Sequence, residues 1–139
     1  MSDDPRRLVL ADLASRLAAG MAGRARAYEA AAGRAEGPLR HALQELARVK
    51  HAQTADLTPL ARTLGVSAPS APPPPPAGGP PAWGVILGEA FQAERSLEGM
   101  GRELAGLTPD PGVRALALRL ASAAARDGEE VRRLYLQYS

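Results

Sequence analysis

Apolar residues fall three and four positions apart over most of this chain, the spacing that gathers them on one side of an α-helix. Leu10, Leu13, Leu17, Met21, Tyr28 and Ala32 form a first stripe. Before it stands Asp4-Pro5, an acidic N-cap followed by proline at the first helical position, so a helix is predicted over 5–35. Pro38 opens a second helix over 38–57, striped by Leu39, Leu43, Leu46, Val49 and Leu57. Thr58-Pro59 repeats the cap-proline signal and predicts a kink or a short extra turn to Leu64. A third helix over 82–106 carries Ile86, Ala90, Leu97, Met100 and Leu104. Asp110-Pro111 starts a fourth over 111–138, with Val113, Leu116, Leu120, Ala123, Val131, Leu134 and Tyr138.

Residues 65–81, GVSAPSAPPPPPAGGPP, interrupt this pattern and hold eight of the 13 prolines. Proline lacks the amide donor and clashes with the preceding turn, so the stretch predicts an extended connector. It separates two helical hairpins, 5–64 and 82–138, within one domain. Seventeen residues in polyproline form reach roughly 50 Å, against about 38 Å for a 25-residue helix. The connector is long enough to return along the bundle and set the second and third helices parallel. The halves also share a pattern: Gly20 and Gly33-Arg34 recur at the spacing of Gly88 and Gly101-Arg102. Arg40, Leu46 and Ala47 likewise match Arg114, Leu120 and Ala121, which suggests two similar hairpins around one core.

Composition agrees with an all-α chain. Ala, Leu, Arg and Glu abound, while aromatic residues make up only 4%. With no cysteine, thiolate metal sites, disulfides and thiol catalysis are excluded. The net charge is only +2, with both signs interleaved, which argues against a nucleic-acid footprint. Of 17 basic residues only Lys50 is a lysine, an arginine bias typical of GC-rich bacterial genomes. No apolar run approaches a membrane span and no secretory signal is present, so the cytoplasm is the expected location. Small residues dominate the stripes, and the apolar surface left over predicts a homodimer.

Glu94 falls on the stripe of Ala90, Leu97, Gly101 and Leu104, and Asp127 lies between Ala123 and Val131. For these two, and for Glu89 and Glu130 beside them, pairing with Arg95, Arg126 or Arg132, or hydration at the stripe edge, is the simplest reading. His41 and His51 are lone helical histidines, read as surface residues. Phosphate loops, nucleophile elbows and His-Glu-x-x-His motifs are absent.

Three segments carry a family resemblance: Ala27 to Leu57, Trp83 to Leu104 with its Gly88-Glu89 pair, and the fourth helix from Ala115 to Tyr138. They resemble the ferritin-like superfamily in its rubrerythrin-like branch. The resemblance implies an all-α, ferritin-like four-helix bundle, two hairpins joined by a Pro-rich crossover. It also implies a di-iron or di-manganese site, built from a Glu on each of two helices and Glu-x-x-His on each of the others. The chain departs from that site. Arg48 stands three residues before His51, the first helix has Gly20 and Met21 where a Glu is expected, and the fourth has Asp127-x-x-Glu130 without histidine. Glu89, Glu94, Asp127 and Glu130 are the metal candidates that remain, suited to a hard cation such as iron or manganese. The leading expectation is a non-catalytic bundle without cofactor that acts in self-association or protein binding. The alternatives are a metal-dependent oxidoreductase or iron-binding protein, and an adaptor recognised through its Pro-rich segment.

Overall fold

The computed structural model describes residues 5–65 and 79–139. Four helices fill most of them: α1 (Pro5–Ala32), α2 (Gly37–Thr63), α3 (Trp83–Leu107) and α4 (Pro111–Tyr138), with no strand among the described residues. Asp4 and the proline run Pro72 to Pro76 lie outside the described residues, so neither the first N-cap nor the form of the connector enters the description.

Two apolar clusters fix the direction of each helix. Leu13, Leu17 and Met21 of α1 pack with Leu57 and Leu60 of α2, Leu97 and Leu104 of α3, and Leu120 of α4. At the other end Tyr28 of α1 packs with Leu39, Leu43 and Leu46 of α2, Leu87 of α3, and Val131 and Leu134 of α4. The start of α2 and the start of α3 therefore share one end, and the two helices run parallel, as the connector length predicts. Leu64 packs at the first end, while the Gly79 carbonyl accepts a hydrogen bond from Arg34 Nη2 at the second, 2.5 Å away. Leu64 and Gly79 thus lie at opposite ends of the bundle. In cross-section α1 lies beside α2 and α3, and α4 beside α3 and more sparsely α2.

The ends of the elements have local causes. Asp110 caps α4, its carboxylate accepting from the N–H of Gly112 at 2.8 Å and of Val113 at 3.2 Å. Arg114 reaches back to the carbonyls of Ala105 and Thr108 and closes the α3–α4 turn. α1 stops at Ala32 rather than 35, because Arg34 and Ala35 turn back to the carbonyls of Ala31 and Ala32 in the tighter three-residue pattern. Gly37, at φ +58°, then takes a left-handed conformation that admits Pro38 into the first turn of α2.

Two expectations change. α2 is not limited to 38–57: the extra turn predicted at Thr58-Pro59 forms within the same helix, which continues through Pro59 to Thr63. Pro59 is exposed, and so is Ala55, whose carbonyl loses its helical donor there and faces water. Burial of Leu60 and Ala61 in the first cluster offsets that loss. The glycine repeat also does not mark equivalent places. Gly33 lies past the end of α1, whereas Gly101 is buried inside α3, where a Cβ would meet the Ala121 Cβ at 3.0 Å and the Ala117 carbonyl at 3.1 Å. Gly101 is small so that α3 and α4 can approach closely.

Candidate functional site

The buried stripe of α2 runs Leu39, Leu43, Leu46, Lys50, Gln53, Leu57, Leu60, alternating steps of four and three. Helix geometry thus points Lys50 and Gln53 into the core as firmly as it points the leucines. The same alternation carries Glu94 between Ala90 and Leu97 on α3, and places Asp127 one turn from Ala124 and Val131 on α4. These polar residues meet between the two apolar clusters, with Tyr28 of α1 completing the belt.

Lys50 is the centre of the arrangement. Its Nζ lies 2.7 Å from Glu94 Oε1 and 2.8 Å from Asp127 Oδ2, and donates to Gln53 Oε1 at 2.9 Å. Two of its three N–H groups have hydrogen-bond acceptors in Gln53 Oε1 and Asp127 Oδ2, while Glu94 Oε1 is held by charge and accepts no hydrogen bond. Glu94 Oε2 accepts from Tyr28 Oη at 2.6 Å, and Gln53 Nε2 donates to Asp127 Oδ2 at 3.2 Å. The Arg24 guanidinium sits 5.2 Å from the centre of the Tyr28 ring. The side chains of Lys50 and Glu94 are fully buried, and that of Asp127 is 15% exposed.

The titration of Glu94 and Tyr28 follows their burial. Loss of hydration raises the Glu94 carboxyl above the usual carboxylate range. The ammonium of Lys50 and the hydroxyl of Tyr28 oppose that rise, and the negative charge of Asp127 adds to it. Tyr28 is raised as well, first by burial and then by the charge and hydrogen bond of Glu94, so its hydroxyl keeps its proton and donates.

Of the four metal candidates, two meet. Glu94 and Asp127 come together, but across the Lys50 ammonium and not across open space, so their partner is a lysine and not one of the arginines of the simplest reading. Glu89 is exposed. Five helical steps separate it from Glu94, about 140° around the axis. Glu130 is half-exposed and paired with Arg133 at 2.5 Å. His51 and Arg48 both face outward: His51 bonds Glu29, and Arg48 bonds Glu45 at 3.0 and 2.5 Å. The helical pair that faces the core is Lys50-x-x-Gln53, shifted by two residues from Arg48-x-x-His51. Sequence reasoning passed over Lys50 and Gln53 although their spacing to Leu46 and Leu57 marked them.

Beside Asp127 the loose contact between α2 and α4 leaves an open groove of about 570 Å³, lined by His41, Glu45, Leu46, Val49, Asp127 and Glu130. No helix among the described residues is long and apolar enough to cross a membrane.

No protein-family model matches the chain, and no curated protein is similar to it in sequence. Among solved structures it is similar to a conserved hypothetical protein from Mycobacterium tuberculosis. The two superpose with a TM-score of 0.78 at 12% identity, over 96% of this chain and 95% of the other. At that identity the likeness concerns the fold alone.

Proposed function

We propose that this protein is a non-catalytic, ferritin-like bundle in which a lysine side chain stands where the resemblance puts a di-metal centre, and that it works by self-association or protein binding. Lys50-x-x-Gln53 on α2 has the spacing of a Glu-x-x-His pair and faces the core, and Glu94 of α3 and Asp127 of α4 meet it there, which supports this reading. The residues do not fit two hard cations. Such a pair needs about four carboxylates, whereas the core offers Glu94 and Asp127, both already held by Lys50. A buried ammonium within 3 Å of both carboxylates repels a cation and leaves it no ligand. That contact is the observation that carries the proposal.

For self-association the face of α3 and α4 near Trp83 is the best candidate. Val85, Tyr135 and Leu136 are exposed there around a groove of about 390 Å³ floored by Gly84, Gly88 and Phe91. Sedimentation velocity at micromolar concentration tests it. A dimer that Leu136→Asp converts to monomer supports this face, and a wild-type chain that stays monomeric rules out the homodimer.

A further inference from the structure

The buried cluster places one amine against two carboxyl groups, those of Asp127 and Glu94. Lys50 Nζ is 2.8 Å from Asp127 Oδ2, close enough that a small rotation brings it onto Asp127 Cγ. Glu94 Oε1 is 2.7 Å from the same nitrogen and can carry protons between the two. Gln53 Nε2 donates to Asp127 Oδ2 and polarises the carboxyl group, while Tyr28 holds Glu94 from its far side. Lys50 and Glu94 are sealed from water, and the edge of Asp127 at the α2–α4 groove offers a leaving molecule a way out. Composition supplies an independent hint. The chain uses arginine at every other basic position, and a guanidinium neither deprotonates nor attacks. Its single lysine sits against two carboxyl groups.

We propose that Lys50 and Asp127 join in an autocatalytic isopeptide bond between Nζ and Cγ, with Glu94 as the proton carrier. The Lys50 ammonium gives one proton to Glu94, which passes it to the Asp127 carboxylate. The free amine then attacks Cγ, and the tetrahedral adduct loses a second nitrogen proton to Glu94. Glu94 returns that proton to the departing oxygen, and water leaves. Ammonium plus carboxylate becomes amide plus water, no oxidant or cofactor is needed, and the remaining N–H donates to Glu94. The bond ties α2 to α4, the neighbouring pair that touch least, and so links the two hairpins. The proposal rests on the same core cluster as the proposed function, but its failure leaves that reading standing, because an ion pair excludes metal as an amide does.

The test is the intact mass of the purified wild-type chain under denaturing conditions, followed by trypsin. A linked chain is lighter than its sequence by one water. Trypsin then leaves Lys50 uncut and yields Val49–Arg62 joined to Asp127–Arg132. The cyclic imide to which an Asp-Gly pair such as Asp127-Gly128 is prone also loses one water, but it leaves Lys50 cleavable and yields no joined peptide. Asp127→Ala and Glu94→Gln should both give the full mass. A wild-type chain of full mass, or one whose Lys50 is cleaved completely, overturns the proposal without recourse to variants that fail to fold. An equal yield of the joined peptide in Glu94→Gln overturns the role of Glu94.

Discussion

Tyr28 Oη donates to Glu94 Oε2 at 2.6 Å, a hydrogen bond that ties α1 to α3 through the middle of the bundle. Both side chains are buried, so the carboxylate oxygen has no water to take the place of the hydroxyl. Tyr28→Phe keeps the ring and removes only the donor. It should lower stability by about 1–3 kcal/mol, the cost of an unsatisfied buried acceptor. Urea unfolding measures it; a variant as stable as wild type would mean that the bond contributes nothing.

Lys50 faces two carboxylates, so its removal should be costly out of proportion to its size. Measured against chain in which Lys50 and Asp127 are not joined, Lys50→Met fills a similar volume yet leaves Glu94 and Asp127 without a cation, and is expected to cost about 3–5 kcal/mol. Replacing the whole cluster in Lys50→Met/Glu94→Leu/Asp127→Leu should recover most of that loss, because the buried charges go together. The two urea midpoints decide the matter. A triple variant less stable than the single one would contradict it.

Glu94 gives stability a pH dependence of definite sign. Its folded carboxyl holds the proton more tightly than the unfolded one, since burial raises it. Its titration therefore adds most stability below the ordinary carboxylate range. That contribution falls as pH rises toward the native pKa and is constant above it. Glu94→Gln removes the titration. The stability of wild type relative to this variant should decline as pH rises from about 4 and then level off. A relative stability that grows with pH would show that Lys50 outweighs burial.

The cap of α4 is separable from the core. Asp110 accepts from two backbone N–H groups that have no other helical partner. Asp110→Ala should cost about 1 kcal/mol, and Asp110→Asn much less. Equal losses in both would point to the charge rather than the hydrogen bonds.

Much of this fold can be read from spacing. The α4 start at Asp110-Pro111 is local chemistry, and the parallel course of α2 and α3 follows from a connector long enough to span the bundle. The polar belt was half legible. Glu94 and Asp127 lie on their stripes, but their partner was sought among the arginines because lysine reads as a surface residue. Following the steps of three and four from Leu46 to Leu57 would have put Lys50 and Gln53 inside. Arg48 and His51 drew attention by residue type while their helical phase turns them outward. Thr58-Pro59 left a kink and an extra turn to Leu64 both open, and burial of Leu60 and Ala61 by the other helices decides for the turn, as part of the same helix.

Metal binding by the wild-type chain tests the account most directly. Protein prepared without a histidine tag or chelator is titrated anaerobically with Fe(II) and with Mn(II), and bound metal is counted. Lys50→Glu/Gln53→His, which writes Glu-x-x-His into the core-facing places of α2, is titrated beside it. The account predicts no stoichiometric binding by wild type and a gain of metal in the double variant. Two tightly bound ions per wild-type chain, lost in both Glu94→Ala and Asp127→Ala, would contradict it and restore the oxidoreductase reading.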